Sequence, residues 1–252
     1  MYSDLKGKVA IVTGAGRDIG KAIALELAAN GVAVCMNYFS SEEGGEETLK
    51  EIQAAGGRAI ALKGDMTNAA EVKALVDAAV ETFGGKIHIL VNVVGGLVAR
   101  KTMEDMDEKF WDFVMGLNLK TAFVMTKAVL PYMPSGGSIV NFASQAARDG
   151  GGFGALAYAT SKGGVSTFTK GLAKELGPKG IRVNALCPGM ISTGFHDTFT
   201  KPEIREKVAS GTPLKREGQA AEIADLVTYL ASDKASFITG TNIDINGGTF
   251  FS

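Results

Sequence analysis

Short apolar runs alternate with helix-like segments along the 252-residue chain, and this alternation limits the possible folds more than any other feature. Seven such runs occur, among them residues 8–13, 87–94 and 138–144. Most are continuously apolar, as expected of strands that are covered on both faces of a sheet. Strands that alternate with helices pair in parallel. We therefore predict a single-domain α/β fold, a doubly wound (Rossmann) seven-stranded parallel sheet with helices on both faces.

Composition and charge narrow the function classes. The net charge of −1 gives no global attraction to nucleic acid. Cys35 and Cys187 lie in apolar runs, which indicates buried thiols and a reducing, cytoplasmic compartment. No Cys/His cluster has metal-ligand spacing, so no metal site is expected. We also expect no cleavable signal and no apolar stretch of the ~18 residues that a membrane span needs.

A glycine-rich turn, GAGRDIG at residues 14–20, connects the first predicted strand to the helical residues 21–30. Backbone N–H groups at the start of a helix bind anions, and the helix dipole strengthens that binding. Because both flanks have the required character, this turn is predicted to hold phosphate groups.

Tyr158 and Lys162 are four residues apart and would share one face of a helix. A phenol has a pKa of about 10, and a nearby cation would lower it. The pair is therefore a candidate proton donor at neutral pH. Ser144 closes a strand-like run, at the kind of strand end where open α/β sheets place their chemistry.

Together these features resemble the short-chain dehydrogenase/reductase family over essentially the whole chain, and most of all its 3-oxoacyl-carrier-protein reductase-like and sugar-dehydrogenase-like members. The resemblance is carried by residues 13–20, Asp65, residues 92–95, Asn118, Ser144, residues 158–162, and Pro188 with Gly189. It implies hydride transfer between a nicotinamide and a carbonyl or secondary alcohol. It also implies a cofactor-binding half at about residues 1–135 and a catalytic half, which includes a lid at about 194–216.

The family pattern implies four catalytic roles. Tyr158 would give a proton to the substrate oxygen during reduction. Lys162 would lower the pKa of Tyr158 and hold the nicotinamide ribose. Ser144 would hydrogen-bond the carbonyl oxygen, and Asn118 would hold a water of the proton relay.

The same pattern implies a set of cofactor contacts along the sheet edge. Besides Tyr158 and Lys162, the set is Gly14, Arg17, Asp18, Ile19 and Gly20 at the phosphates; Tyr38, Ser40 and Ser41 after the second strand; Asp65, Met66, Asn92 and Gly95 at the adenosine; and Pro188, Gly189, Ile191 and Thr193 at the nicotinamide.

Two segments depart from the family pattern. Asp18 stands where the glycine turn usually has Gly, and it places negative charge near the phosphates. An acidic side chain there is expected to bond backbone N–H groups at the start of the helix. Residues 92–95 read NVVG where Asn-Asn-Ala-Gly is usual, a change expected to affect sheet support more than chemistry.

The cofactor is predicted to be NADP(H) rather than NAD(H). An acid at the end of the second strand would bind the ribose 2′-OH of NAD and repel a 2′-phosphate, but residues 37–41 contain none. Arg17 could meet the 2′-phosphate, with Ser40 and Ser41 as further donors. Glu42 and Glu43 weigh against this prediction unless they belong to the next helix.

The predicted substrate contacts are Gln145, Arg148, Phe153, Met190 and Phe195. Basic residues near the site favour an anionic ketone, such as a keto sugar acid or a 3-oxoacyl thioester, with Arg148 as its contact. Solubilising surface is the other explanation of those charges.

A non-catalytic dinucleotide-binding regulator or scaffold is the alternative function. That alternative predicts the loss of a catalytic residue, whereas all four are present. Small and apolar residues on several faces of two long helices indicate subunit contacts, and the resemblance implies a homotetramer.

Overall fold

The computed structural model describes residues 2–251 and confirms the parallel sheet. Its strands are β1 (Val9–Val12), β2 (Ala33–Tyr38), β3 (Ala59–Lys63), β4 (Ile89–Asn92), β5 (Ser138–Phe142), β6 (Arg182–Pro188) and β7 (Asn242–Ile245). They form one 7-stranded sheet in the order β3-β2-β1-β4-β5-β6-β7, and every neighbouring pair is parallel. The strand order reverses between β1 and β4, which is where open α/β sheets bind ligands.

The helices are α1 (Asp18–Ala29), α2 (Glu42–Ala54), α3 (Ala69–Phe83), α4 (Glu108–Met115), α5 (Thr121–Val129), α6 (Ala146–Asp149), α7 (Leu156–Leu176), α8 (Gly194–Phe199), α9 (Pro202–Gly211) and α10 (Ala220–Ala231). Two features were not predicted. A π-helical turn, Gly116–Lys120, separates α4 from α5, and the short helix α6 lies between β5 and α7.

The core lies on both faces of the sheet because strand side chains alternate. Along β1, Ala10 and Val12 pack with α1 and α10 on one face, whereas Ile11 packs with α3, α5 and α7 on the other. All three side chains are inaccessible to solvent. Two covered faces explain why the strands are continuously apolar in sequence.

The α4–α5 region is more apolar than expected, since no apolar stretch of membrane-span length was predicted. By length and composition, Glu108–Tyr132 could cross a membrane; its most apolar 18-residue window has a mean hydropathy of 1.3, and 39% of that window is buried. Lys120 and Lys127 interrupt the apolar run, so no unbroken stretch stands out in the sequence. In this fold Met125 and Val129 are completely buried beside α3 and the sheet, so the core accounts for part of this apolar character.

Candidate active site

A cavity of about 820 Å³ opens at the carboxyl edge of the sheet. Its walls come from the segments that follow the strands, from α7, and from the lid helices α8 and α9. The volume falls within the range of about 300–1,000 Å³ that is usual for ligand pockets.

Most of the predicted contacts line this cavity. They are Gly14, Arg17, Asp18, Ile19, Gly20, Tyr38, Ser40, Ser41, Asp65, Met66, Gly95, Ser144, Gln145, Tyr158, Lys162, Pro188, Gly189, Met190, Ile191, Thr193 and Phe195. The fold thus brings the glycine turn, the end of β2, the catalytic helix and the lid around one space.

The glycine turn is packed too closely for side chains. A Cβ atom on Gly20 would lie 2.1 Å from the carbonyl oxygen of Gly14, and one on Gly16 would lie 2.9 Å from the carbonyl oxygen of Ser41. Gly14 also has a φ of 66°, in the left-handed region that glycine tolerates. The turn therefore exposes bare backbone at the start of α1, as an anion site requires.

Tyr158 and Lys162 lie on the same face of α7, with the Nζ atom of Lys162 5.8 Å from the centre of the Tyr158 ring. Lys162 is only 4% exposed and donates a hydrogen bond of 2.7 Å to the carbonyl oxygen of Phe142, at the end of β5. Ser144 follows two residues later; its hydroxyl accepts a hydrogen bond of 3.1 Å from the backbone nitrogen of Ala146 and lies close to Tyr158, whose pKa it lowers. The three predicted catalytic side chains are therefore together.

The pKa values of the pair correct one sequence prediction. Burial raises the pKa of Tyr158, and the Ser144 hydrogen bond only partly opposes this. Burial also lowers the pKa of Lys162 to about 8. The predicted lowering of the Tyr158 pKa by Lys162 is therefore not seen in the protein alone, because desolvation of the phenolate has the largest effect on this pKa. Tyr158 consequently stays protonated, the state that a proton donor needs.

Asn118 lies behind the cavity wall, in the π-helical turn. Its side chain accepts a hydrogen bond from the backbone nitrogen of Gly96 at 2.9 Å and donates to the carbonyl oxygens of Gly96 and Val114, both at 3.0 Å. A Cβ on Gly95 would collide with both Asn118 and Lys162, at 2.5 and 2.8 Å. The Asn118 side chain thus fixes the Gly95–Gly96 backbone and does not present its amide to the cavity.

The prediction that Arg148 contacts the substrate is wrong, because Arg148 does not line the cavity. Its guanidinium pairs with the Asp244 carboxylate at 3.2 Å and donates to the carbonyl oxygen of Asn242 at 2.7 Å, both on β7. The cause is the unpredicted helix α6. Gln145 and Asp149, four residues apart, face the cavity, and Arg148 projects from another side of the same turn.

Two other predicted contacts also lie outside the cavity. Asn92 is buried within the sheet, where its amide donates to Asn141 at 2.8 Å, and its neighbours Val93 and Val94 line the cavity instead. The Phe153 side chain is 86% exposed to solvent and does not line the cavity. A strand-end position and a loop position do not reveal from sequence which way their side chains point.

The aromatic wall of the cavity was only partly predicted from the sequence. The rings of Phe195, His196 and Phe199 pack together on α8, with centroid distances of 5.0 and 5.1 Å from Phe195 to the other two. Phe195 also lies 6.3 Å from the Tyr158 ring. Phe199 was missed, although its spacing of four residues from Phe195 could have indicated a shared helix face. Phe113 of α4 also lines the cavity and gave no sequence signal.

A parallel sheet with a glycine turn, a Tyr–Lys pair on the cavity wall and an aromatic wall on α8 is the arrangement of a dinucleotide-dependent oxidoreductase site. A family model described as enoyl-(acyl carrier protein) reductase matches residues 14–249. The 3-oxoacyl-[acyl-carrier-protein] reductase of Staphylococcus aureus is 39% identical over 245 residues, 96% of this chain and 98% of that protein. Glucose 1-dehydrogenase 2 of Bacillus subtilis is 36% identical, over 98% of this chain and 96% of that protein.

Solved structures agree with this relationship. A short-chain dehydrogenase/reductase from Serratia marcescens is 35% identical, with a TM-score of 0.92 over 97% of this chain and 98% of that chain. A Burkholderia cenocepacia short-chain dehydrogenase in complex with NADP is 34% identical, with a TM-score of 0.90 over 97% and 98%. The chain belongs to the short-chain dehydrogenase/reductase family. This confirms the predicted reaction class, hydride transfer between a nicotinamide and a carbonyl or secondary alcohol.

The residues present fit a nicotinamide dinucleotide. At Gly14, Gly16 and Gly20 the turn has no side chain, which leaves room and backbone donors for a pyrophosphate. The cavity continues from Tyr38 and Ser41 at one end to Tyr158 and Thr193 at the other, so a single molecule can reach from the glycine turn to the catalytic helix.

Arg148→Ala tests the corrected position of this side chain. Removing the guanidinium leaves the largely buried Asp244 carboxylate unpaired and frees α6 from β7, so we expect the free energy of unfolding to fall by about 2 kcal/mol. Because α6 follows Ser144, kcat should fall by a similar factor for acidic and neutral ketones, as steady-state kinetics will show. The double variant Arg148→Ala/Asp244→Asn should recover part of the stability. A KM increase confined to acidic substrates would instead show that Arg148 contacts the substrate.

Proposed function

We propose that this protein is an NADP(H)-preferring carbonyl reductase in which Tyr158 donates the proton. The observation that carries the proposal is that the half-buried Tyr158 and Ser144 and the buried Lys162 line the same cavity as the glycine turn. In this arrangement, residues up to about 135 bind the cofactor, and the remainder supplies the catalytic helix and the lid at about 194–216.

Each catalytic residue has a role that follows from its contacts. The bound nicotinamide supplies the hydride. The Tyr158 hydroxyl, kept protonated by burial, gives its proton to the carbonyl oxygen while Ser144 donates a hydrogen bond to that oxygen. Lys162 is held by Phe142, and its remaining N–H groups would be free to hold the nicotinamide ribose. Asn118 keeps the Gly95–Gly96 backbone in place.

Arg17 of the glycine turn and the hydroxyl side chains that follow β2 support NADP(H). Arg17 is largely exposed and lines the cavity together with Ser40 and Ser41, where a 2′-phosphate would lie. Glu42, which weighed against this preference in the sequence, lies in α2 and pairs with Lys63 at 2.9 Å. The Glu42 carboxylate is therefore paired with Lys63 and does not line the cavity. The NADP bound by the Burkholderia cenocepacia relative is consistent with this assignment.

The cavity above Tyr158 favours a ketone with an apolar body. Phe195, Phe199 and Met190 line it, and Arg100 adds a cation to the cavity wall. A 3-oxoacyl thioester, apolar beside its ketone and charged at its far end, suits this distribution better than a keto sugar acid. The similarity to the Staphylococcus aureus reductase supports the same choice.

A second groove supports assembly. It lies between the α4–α5 region and α7 and is lined by Met115, Leu119, Phe123 and Phe168, and the Phe123 side chain is 47% exposed. We infer a cytoplasmic homotetramer that covers this groove, with the two buried, unpaired cysteines fitting a reducing compartment. Sedimentation equilibrium should give four times the monomer mass of 26.2 kDa, and a monomer would refute the assembly.

The proposed function is tested by NADPH oxidation with three substrate classes: a 3-oxoacyl thioester, a keto sugar acid and an uncharged aromatic ketone. We expect turnover with the thioester foremost, and kcat/KM for NADPH at least about tenfold above that for NADH. Arg17→Ala should reduce kcat/KM for NADPH by about 10- to 100-fold and that for NADH much less, since only NADPH carries the 2′-phosphate.

Two outcomes contradict the proposal in different ways. A preference for NADH in the unmodified enzyme would overturn the cofactor assignment while leaving the reductase intact. Cofactor binding without turnover of any of the three substrate classes would favour the non-catalytic alternative.

A further inference from the structure

Asp18 has an unusual backbone conformation for its residue type. Its φ is 51°, in the left-handed region that a residue with a Cβ seldom adopts. Asp and Asn enter this region more readily than other non-glycine residues, usually when the side chain makes a local hydrogen bond. Glycine would adopt the same φ without strain. The positive φ of Asp18 therefore indicates that its carboxylate makes a stabilising contact.

The carboxylate reaches a distant part of the chain. Its Oδ1 accepts a hydrogen bond of 3.1 Å from the backbone nitrogen of Gly194, 176 residues away in sequence. Its Oδ2 lies 3.7 Å from Nε of Arg17. The expected bonds to the start of its own helix are therefore replaced by a bond to the lid.

Gly194 is the first residue of α8, and the next residue is Phe195, whose ring packs against Tyr158. The lid has a second attachment, where Arg205 of α9 binds Asp197, Ser192 and Glu217. Those partners lie in the lid or its flanking segments. Of these attachments, the Asp18 bond is the one that ties the lid to the phosphate turn.

We propose that Asp18 is a positioning residue that holds the lid onto the glycine turn, so that Phe195 stays over Tyr158. The proposal rests on the proposed function for its catalytic consequence. The carboxylate lies beside the phosphate site, so it repels the cofactor while it orders the lid. The lid and the phosphate site are thereby coupled through one side chain.

Two substitutions separate the hydrogen bond from the charge. Asp18→Gly removes both, whereas Asp18→Asn keeps an acceptor oxygen, tolerates the positive φ and removes only the charge. Hydrogen–deuterium exchange on the cofactor-free protein, followed in peptides that cover residues 192–199, reads the lid directly. We expect exchange to be about tenfold faster in Asp18→Gly and close to wild type in Asp18→Asn. The Tm of Asp18→Gly should equal or exceed that of the wild type, since glycine relieves the φ strain, so unfolding cannot explain faster exchange.

Kinetics adds a second readout. Loss of the charge should lower the Kd for NADPH in both variants, whereas only Asp18→Gly should raise KM for the ketone. Wild-type exchange rates in Asp18→Gly, or equally fast exchange in both variants, would overturn the proposal. Because the exchange measurement needs no substrate, its result is independent of whether the proposed reductase activity is found.

Discussion

The site depends on one buried arrangement, the Lys162 amine held against the end of β5 beneath the Tyr158 ring. The 2.7 Å bond to the carbonyl oxygen of Phe142 satisfies an amine that is almost completely inaccessible to water. Burial costs the charged form of each group, so the phenol stays protonated and the amine loses affinity for its proton. A cavity that keeps Tyr158 protonated in this way suits reduction of a carbonyl, which needs a proton donor.

The neighbouring backbone is shaped to make this burial possible. Gly95 leaves space for Lys162, and the Asn118 amide bonds both backbone groups of Gly96. Asn118 reaches them because the helix widens into a π turn at Gly116–Lys120. The π turn is therefore part of the site, as is common for such turns, and its Leu117 lines the cavity.

The sequence was sufficient for the sheet, the glycine turn and the Tyr158–Lys162 pair, because each depends on local periodicity or spacing. It was insufficient where a long-range contact decides the direction of a side chain. Arg148 turns to β7 because α6 forms, and Asn92 turns into the sheet toward Asn141. Asp18 was recognised as a departure, yet its partner Gly194 lies 176 residues away and no local pattern indicates it. The pKa of Tyr158 likewise depends on burial, which spacing alone does not give.

The most direct test of this account is the turnover of Tyr158→Phe, which removes a single oxygen from the buried pair and keeps the ring that packs on Phe195. With the proton donor gone, kcat for ketone reduction by NADPH should fall by at least about 100-fold. Fluorescence titration should still show NADPH bound to the folded variant. Turnover within about tenfold of wild type would contradict the assignment of Tyr158 as the proton donor.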